Sequence, residues 1–263
     1  MFRALYTAAS GMTAQQVNLD NIANNLANSG TTGFQQRQVN FTDLLYQNQI
    51  MPGSAATQQT TVAAGLQIGL GTRVSETEIM QTQGDFTTTG NPLDLAIQGA
   101  GFFQIQMPNG QMAYTRDGSF HPDSQGALVT ADGNPLQPAI TIPANALTVT
   151  VGSDGTVSIT TPGQTAATTV GTIQMALFIN PGGLNSVGNN LYLPTTASGE
   201  AQVGTPGGAD GLGTIQQGML EQSNVSVVNQ FVAMILAQRS YESNSRVVKA
   251  ADEMLQQLNQ LSQ

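Results

Sequence analysis

Hydrophobic residues fall at helical spacing only near the two ends of the chain. At the N-terminus Leu5, Met12, Leu19 and Leu26 recur every seven residues, with Ala8 and Ile22 at the intermediate positions and Gln15 as a polar intrusion. This is the spacing of a coiled-coil seam. It predicts a helix from about Phe2 to Leu26, closed by Ala27-Asn28-Ser29-Gly30, where Asn and Gly accept left-handed cap conformations. Gly11 inside it is a weakness of roughly 1 kcal/mol relative to Ala, and with little charge pairing the helix needs a partner. Helical periodicity returns after about Ser223, with Ser223 or Asn224 as N-cap. There Phe231, Met234, Tyr241, Val248 and Leu255 form one line, and Val247, Ala251, Met254, Leu258 and Leu261 a second about 100° away. Two adjacent stripes suit packing against several neighbours at once. The alternative is that the two helices pair with each other against a sheet, because surface helices commonly carry an equally wide apolar face.

Between the ends the periodicity changes. Residues 34 to 45, with Phe34, Val39, Phe41, Leu44 and Leu45, read as a strand or a short helix. From Tyr46 to Gly65 the pattern dissolves into Gln, Ser, Thr and Ala around Pro52 and Gly53, a long connection of the kind that is a linker or functional. Turn signals then crowd together, among them Gly90-Asn91-Pro92, Pro108-Asn109-Gly110 and Ser153-Asp154-Gly155. Short alternating runs lie between them: Phe103 to Met107, Thr148 to Val151, Ile173 to Ile179 and Leu191 to Leu193. Such spacing predicts β-hairpins in a barrel- or sandwich-like domain. The expected fold is therefore α+β. Residues 1–45 together with 214–263 form a coiled-coil-like helical module, 46–66 an extended connection, and 67–213 an inserted, mainly antiparallel β domain.

Composition sharpens this picture. At 263 residues the chain is long enough for a sizeable core. Only 9% of it is charged, against roughly 25% in ordinary soluble proteins, so its polarity rests on amides and hydroxyls, a surface suited to burial in an assembly. The formal charge of −9 is unevenly placed. Arg3 and Arg37 balance Asp20 and Asp43 at one end, and Arg239, Arg246 and Lys249 nearly balance Glu221, Glu242, Asp252 and Glu253 at the other. The acidity therefore lies in the middle. Like charges packed at short repeats resist polymerisation, so near-neutral ends point inward and the acidic middle outward. No basic stripe exists for nucleic acid. There is no cysteine, hence no disulfide framework and no thiolate metal site. The longest apolar run, Phe231 to Ala237, is too short to span a membrane. Thr7, Ser10, Thr13, Gln15 and Gln16 interrupt the apolar residues of the first helix, so no cleaved signal peptide is expected.

Material for catalysis is sparse. His121, the one histidine, sits in a Phe120-His121-Pro122-Asp123 turn; without Cys a zinc site is not supported, and a Ser-His-Asp constellation would rest wholly on this exposed-looking turn. Glu76 and Glu78 share one face of an extended segment and could serve glycoside hydrolysis, though a solvated strand face accounts for them equally. Gly69-Leu70-Gly71 opens no helix and there is no Walker lysine. No cofactor, metal or catalytic residue is expected. The competing classes are an enzyme of the cell wall acting through Glu76, Glu78 or His121, and a monomeric secreted β-protein whose helices simply pair.

Three ordered blocks carry a resemblance. Ser10-Gly11-Met12, Leu19-Asp20-Asn21-Ile22-Ala23-Asn24-Asn25-Leu26-Ala27-Asn28 and Thr32-Gly33-Phe34 resemble the N-terminal signature of bacterial flagellar rod and hook proteins. Glu221-Gln222-Ser223-Asn224-Val225 followed by Ala237 to Asn244 is similar to the C-terminal one, and Leu95 to Phe103 with Tyr114 to Phe120 to the shared β region. Within the family, residues 43 to 69 are most similar to the members that build the distal rod; proximal rod and hook members are the alternatives. The resemblance implies a homopolymer forming a hollow drive shaft across the periplasm. Its implied partners are proximal rod proteins, the hook protein, the surrounding ring proteins and the flagellar export apparatus. Nucleic acid and direct membrane insertion are not implied. The implied assembly surface comprises the stripe residues above with Asn24 and Asn25, whose amides would specify register between subunits. Tyr46, Pro52, Gly53 and Gly65 would brace neighbouring subunits.

Overall fold

The computed structural model describes residues 2–53, 63–164, 166–208 and 211–261, without the side chains of residues 2, 258, 259 and 261. It divides into two compact units. One comprises Met1–Ala27, Arg37–Glu78 and Ser226–Gln263, the other Asn28–Gln36 and Ile79–Val225. The class is α+β, as the changing periodicity implies, with one long helix at each end and strands between.

In the first unit α1 (Phe2–Ala27) and α2 (Val227–Leu261) pack against each other. They run antiparallel: Gly11 faces Asn244, and Arg3, Ala4, Thr7 and Ala8 lie beside Val247. The centre of the seam is built from small residues. Ala8 and Ala14 with Ile22 are buried from α1, and Ala237 and Ala251 from α2. Ala237, Asn244 and Ala251 are themselves seven apart, and small side chains let helix axes approach closely. A Cβ on Gly11 would lie 2.8 Å from Asn244 Nδ2, so the glycine that weakens α1 makes room for the Asn244 amide. The intrachain pairing weighed as the alternative is thus present, but it uses only one face of each helix.

Four strands complete this unit: β1 (Arg37–Asp43), β2 (Tyr46–Ile50), β3 (Leu66–Gly69) and β4 (Thr72–Ile79), which reaches its border. β1 pairs with β4, and β2 pairs antiparallel with β3 across a bulge between Asn48 and Ile50. Part of the segment in which the pattern dissolves is therefore a hairpin. Alternation could not reveal it, because every residue of β2 is exposed and no buried face selects hydrophobic positions. Residues 54–62 of the expected connection lie outside the described residues.

Two local expectations are corrected. Residues 28–30 do not form a left-handed cap; Thr31 N–H donates to the Asn28 carbonyl in a turn, and the first left-handed residue is Gly33, at φ 65°. The second helix is not capped by Ser223 or Asn224. Ser226 precedes it, its carbonyl accepting from Gln230 N–H at 3.0 Å, while the Asn224 amide is consumed elsewhere: its Oδ1 accepts from Gln36 N–H and its Nδ2 donates to Gln35, Met80 and Thr82. A cap side chain satisfies one backbone donor, whereas here one amide joins three chain segments of the β unit.

The β unit is organised by a seven-stranded antiparallel sheet. Its centre is the hairpin of β7 (Phe102–Gln106) and β8 (Met112–Thr115), counted after β5 (Phe86–Thr88) and β6 (Leu95–Gln98). Successive side chains of a strand point to opposite faces, and both faces here are covered. Phe103 and Ile105 enter a core with Phe120, Leu136, Ile173 and Met175, while Phe102 enters a second with Tyr114, Phe178 and Tyr192. Residues 148–151, 156–160 and 168–172 form a separate three-stranded sheet.

Candidate assembly surfaces

The polar residues of α1 hold the rest of its unit in place. Asn25 is buried and acts as a backbone mimic: its Oδ1 accepts from Arg37 N–H at 3.0 Å and its Nδ2 donates to Arg37 O at 2.8 Å. Asn21 Nδ2 donates to the same carbonyl at 2.7 Å. Together they fix the start of β1 on the helix. Ser10 does the same for the β3–β4 turn, accepting from Thr72 N–H at 3.3 Å. Gly71 lies there at φ 121°, so close that a Cβ would stand 2.2 Å from Ser10 Oγ. An open groove of 440 Å³ beside this turn is lined by uncharged residues, among them Thr7, Gln15, Thr72 and Asn244, and offers no acid or base.

The apolar positions expected to assemble fall in three environments. Ile22 and Ala251 are buried in the seam. Leu5, Met12, Leu19, Leu26, Met234, Val248 and Leu255 are half-buried along it. Phe231, Tyr241, Val247 and Met254 are exposed. The side chains of Leu258 and Leu261 lie outside the described residues. Asn24 is exposed; Asn25 is buried, with its amide engaged within its own chain. The heptad lines did not reveal Val228, Val232, Ile235 and Leu236, which are also exposed. Their signal was available in another form: no charged residue occurs between Val227 and Gln238. In the hairpin, Tyr46, Pro52 and Gly53 are exposed, and Gly65 is folded against Pro52 and the Ile50 carbonyl. Leu45, Met51 and Leu66 are exposed beside them.

Within the β unit the inward and outward chain segments meet at a buried ion pair. Arg116 Nη1 donates to Glu221 Oε2 at 3.1 Å, with the carboxylate wholly buried. Glu221 Oε1 accepts from Gly84 N–H and Gln35 Nε2, and Arg116 Nη2 donates to Gly99 O. The guanidinium also lies 5.5 Å from the centre of the Phe102 ring, within cation–π range.

The residues considered for chemistry are placed differently. His121 is exposed in a two-residue strand. Glu76 and Glu78 are exposed on one face of β4, and Asn40 Nδ2 donates to both, at 3.1 and 3.2 Å. Nearby in sequence to His121, burial pushes the Asp117 carboxyl above its ordinary value, opposed by hydrogen bonds from Ser119. Among the described residues no group of His, Cys, Asp and Glu is gathered to hold a metal, and no helix is long and apolar enough to cross a membrane.

Terminal helices with unpartnered apolar faces, separated in sequence by a β unit, define a structural protein of the flagellar rod and hook class. Residues 5–35 match the flagella basal body rod protein family, 96–159 the D1 domain of the flagellar hook protein FlgE/F/G, and 216–261 the flagellar basal body rod FlgEFG protein C-terminal family. The chain is 46% identical over 260 residues to the flagellar basal-body rod protein FlgG of Caulobacter vibrioides, covering 98% of this chain and 99% of the relative. It is 45% identical over 261 residues to the FlgG of Buchnera aphidicola from Schizaphis graminum, covering 99% and 100%. The Bacillus subtilis FlgG is 41% identical over 263 residues, covering 98% of each. The chain belongs to the flagellar basal-body rod protein family and is a structural protein of the distal rod.

Proposed function

We propose that copies of this chain polymerise helically into a hollow shaft that crosses the periplasm and transmits torque from motor to hook, without catalysis. The terminal helices form the inner layer. The β unit, which carries most of the negative charge, faces outward toward the surrounding ring proteins. The β2–β3 hairpin braces neighbouring subunits through Tyr46, Pro52, Gly53 and Gly65, with Leu45 and Met51 adding apolar area. Proximal rod proteins and the hook protein bind the two ends of the shaft. Subunits reach it through the flagellar export apparatus.

The observation that carries this reading is the apolar surface left open on α2 after it has paired with α1. Each such side chain is worth on the order of 1 to 3 kcal/mol when buried, so repetition over many subunits yields a stiff polymer from weak single contacts. The test is Phe231→Asp, on that open face, in cells that depend on this chain for motility, with the isolated variant followed by thermal unfolding. Loss of rods with an unchanged transition of the β unit is expected. Rods of normal length and number from the variant would refute the reading.

A further inference from the structure

The three-stranded sheet of the β unit has a composition that invites pairing with any other strand. Its members, Thr148–Val151, Thr156–Thr160 and Thr168–Thr172, consist of Thr, Val, Ile, Ser and Gly, with neither charge nor proline. Between Asp132 and Glu200 the one charged side chain is Asp154, and it is held in the turn after the first strand, where it accepts from Thr156 N–H and Oγ1. Thr156–Thr160 lies in the middle, so the first and third strands are both edges. Edge strands are usually blunted by charge, proline or cover, because their outward N–H and C=O groups are a template for another chain.

The first edge is covered by a single side chain. Gln217 Oε1 accepts from Val151 N–H at 3.1 Å, and its Nε2 donates to Val149 O at 2.9 Å and to Pro92 O at 2.7 Å. Val149 and Val151 are two apart, so their backbone groups point to the same side of the strand. That side is the outer one, because the alternate residues face the middle strand, as where Gly152 N–H donates to Thr156 O. The backbone of Thr214–Gln217 meets this edge at Ser153, whose carbonyl accepts from Ile215 N–H at 3.2 Å. Beyond Ser153 the Gln217 amide stands in for a fourth strand. Gln83 repeats the arrangement on β6, donating to Ile97 O and accepting from Gly99 N–H. On the third strand, no hydrogen bond from outside the sheet reaches the backbone of Thr168–Thr172 among the described residues, so that edge is open.

We propose that Gln217 is an edge lock, whose amide occupies the outer side of Thr148–Val151 and keeps it from pairing with the Thr168–Thr172 edge of a second copy. Pairing of a first strand with a third is heterologous, so it can repeat without limit and grow a β fibre. With the first edge occupied, an open third edge can meet only another third edge, and growth stops at two copies.

Incubation of the full chain with thioflavin T, which reports cross-β fibres, tests this. Gln217→Leu and Gln217→Glu both remove the amide donor, so a loss of stability alone would act on both. Glu leaves a charge at the edge, which is itself a guard. Fibres are expected from Gln217→Leu at a concentration where the unsubstituted chain and Gln217→Glu give none. Thr169 is exposed on the opposite edge of the sheet. Adding Thr169→Lys to Gln217→Leu is expected to abolish the fibres, whereas Gln125→Lys, the same charge at an exposed position outside this sheet, leaves them. No fibres from Gln217→Leu, equal fibres from Gln217→Glu, or equal effects of the two lysines would overturn the proposal.

Discussion

Removing the Glu221 carboxylate, by Glu221→Ala, strands a charge that has nowhere to go. The Arg116 side chain is only 6% exposed. Breaking a buried pair from one side costs about 3–5 kcal/mol. The acceptor for Gly84 N–H and Gln35 Nε2 is lost in the same step, so a loss near 4 kcal/mol is expected, or roughly 10 °C in the unfolding temperature of a unit this size. Arg116→Leu is expected to cost less, about 2 kcal/mol. Its orphaned carboxylate keeps the Gly84 and Gln35 donors. The double variant should cost less than the sum of the two, because neither charge is then left alone. Urea unfolding of the full chain, followed by far-ultraviolet circular dichroism, measures all three. A Glu221→Ala loss below about 1 kcal/mol, or strict additivity, would refute the assignment of this pair as the clamp on the incoming and outgoing segments.

Three further outcomes follow from the same geometry. Asn25→Ala removes the side chain that binds both backbone groups of Arg37; a local loss of about 1–3 kcal/mol should appear as faster amide exchange in residues 37–43 with residues 102–115 unaffected. Gly71→Ala forces a Cβ onto Ser10 Oγ at φ 121°, so the β3–β4 turn should lift from α1 at a cost of about 1–3 kcal/mol, read as lost exchange protection at Thr72. The Asp117 carboxyl is held above its ordinary value of 3.8, chiefly by burial. The folded state thus favours the protonated form, and this contribution is present below the ordinary value and lost as pH rises through the folded one. Asp117→Asn keeps an acceptor for Ser119 and should raise stability at pH 7 but not at pH 3, measured by urea unfolding at both; equal effects at the two pH values would reject the burial argument.

Apart from the resemblance, what the residues determined by themselves was the kind of structure in each region. Seven-residue spacing at the ends and turn signals between them specify helices and hairpins because local backbone geometry imposes those periods. The low charge of the ends and the scarcity of titratable groups were equally plain in composition. What only the tertiary structure decided was which partner each face meets. Leu5, Met12 and Leu19 look like the centre of a seam, yet the centre is built from Ala8, Ile22, Ala237 and Ala251 around Gly11 and Asn244, because close approach is limited by side-chain size. Asn25 looked like a group for specifying register between subunits, and folding spends its amide on a backbone strand twelve residues away. The β2–β3 hairpin had no alternation to betray it, since it has no buried face. Hydrophobic pattern records how much surface must leave water; whether a segment of the same chain or a neighbouring copy covers it depends on three-dimensional fit, which the pattern does not encode.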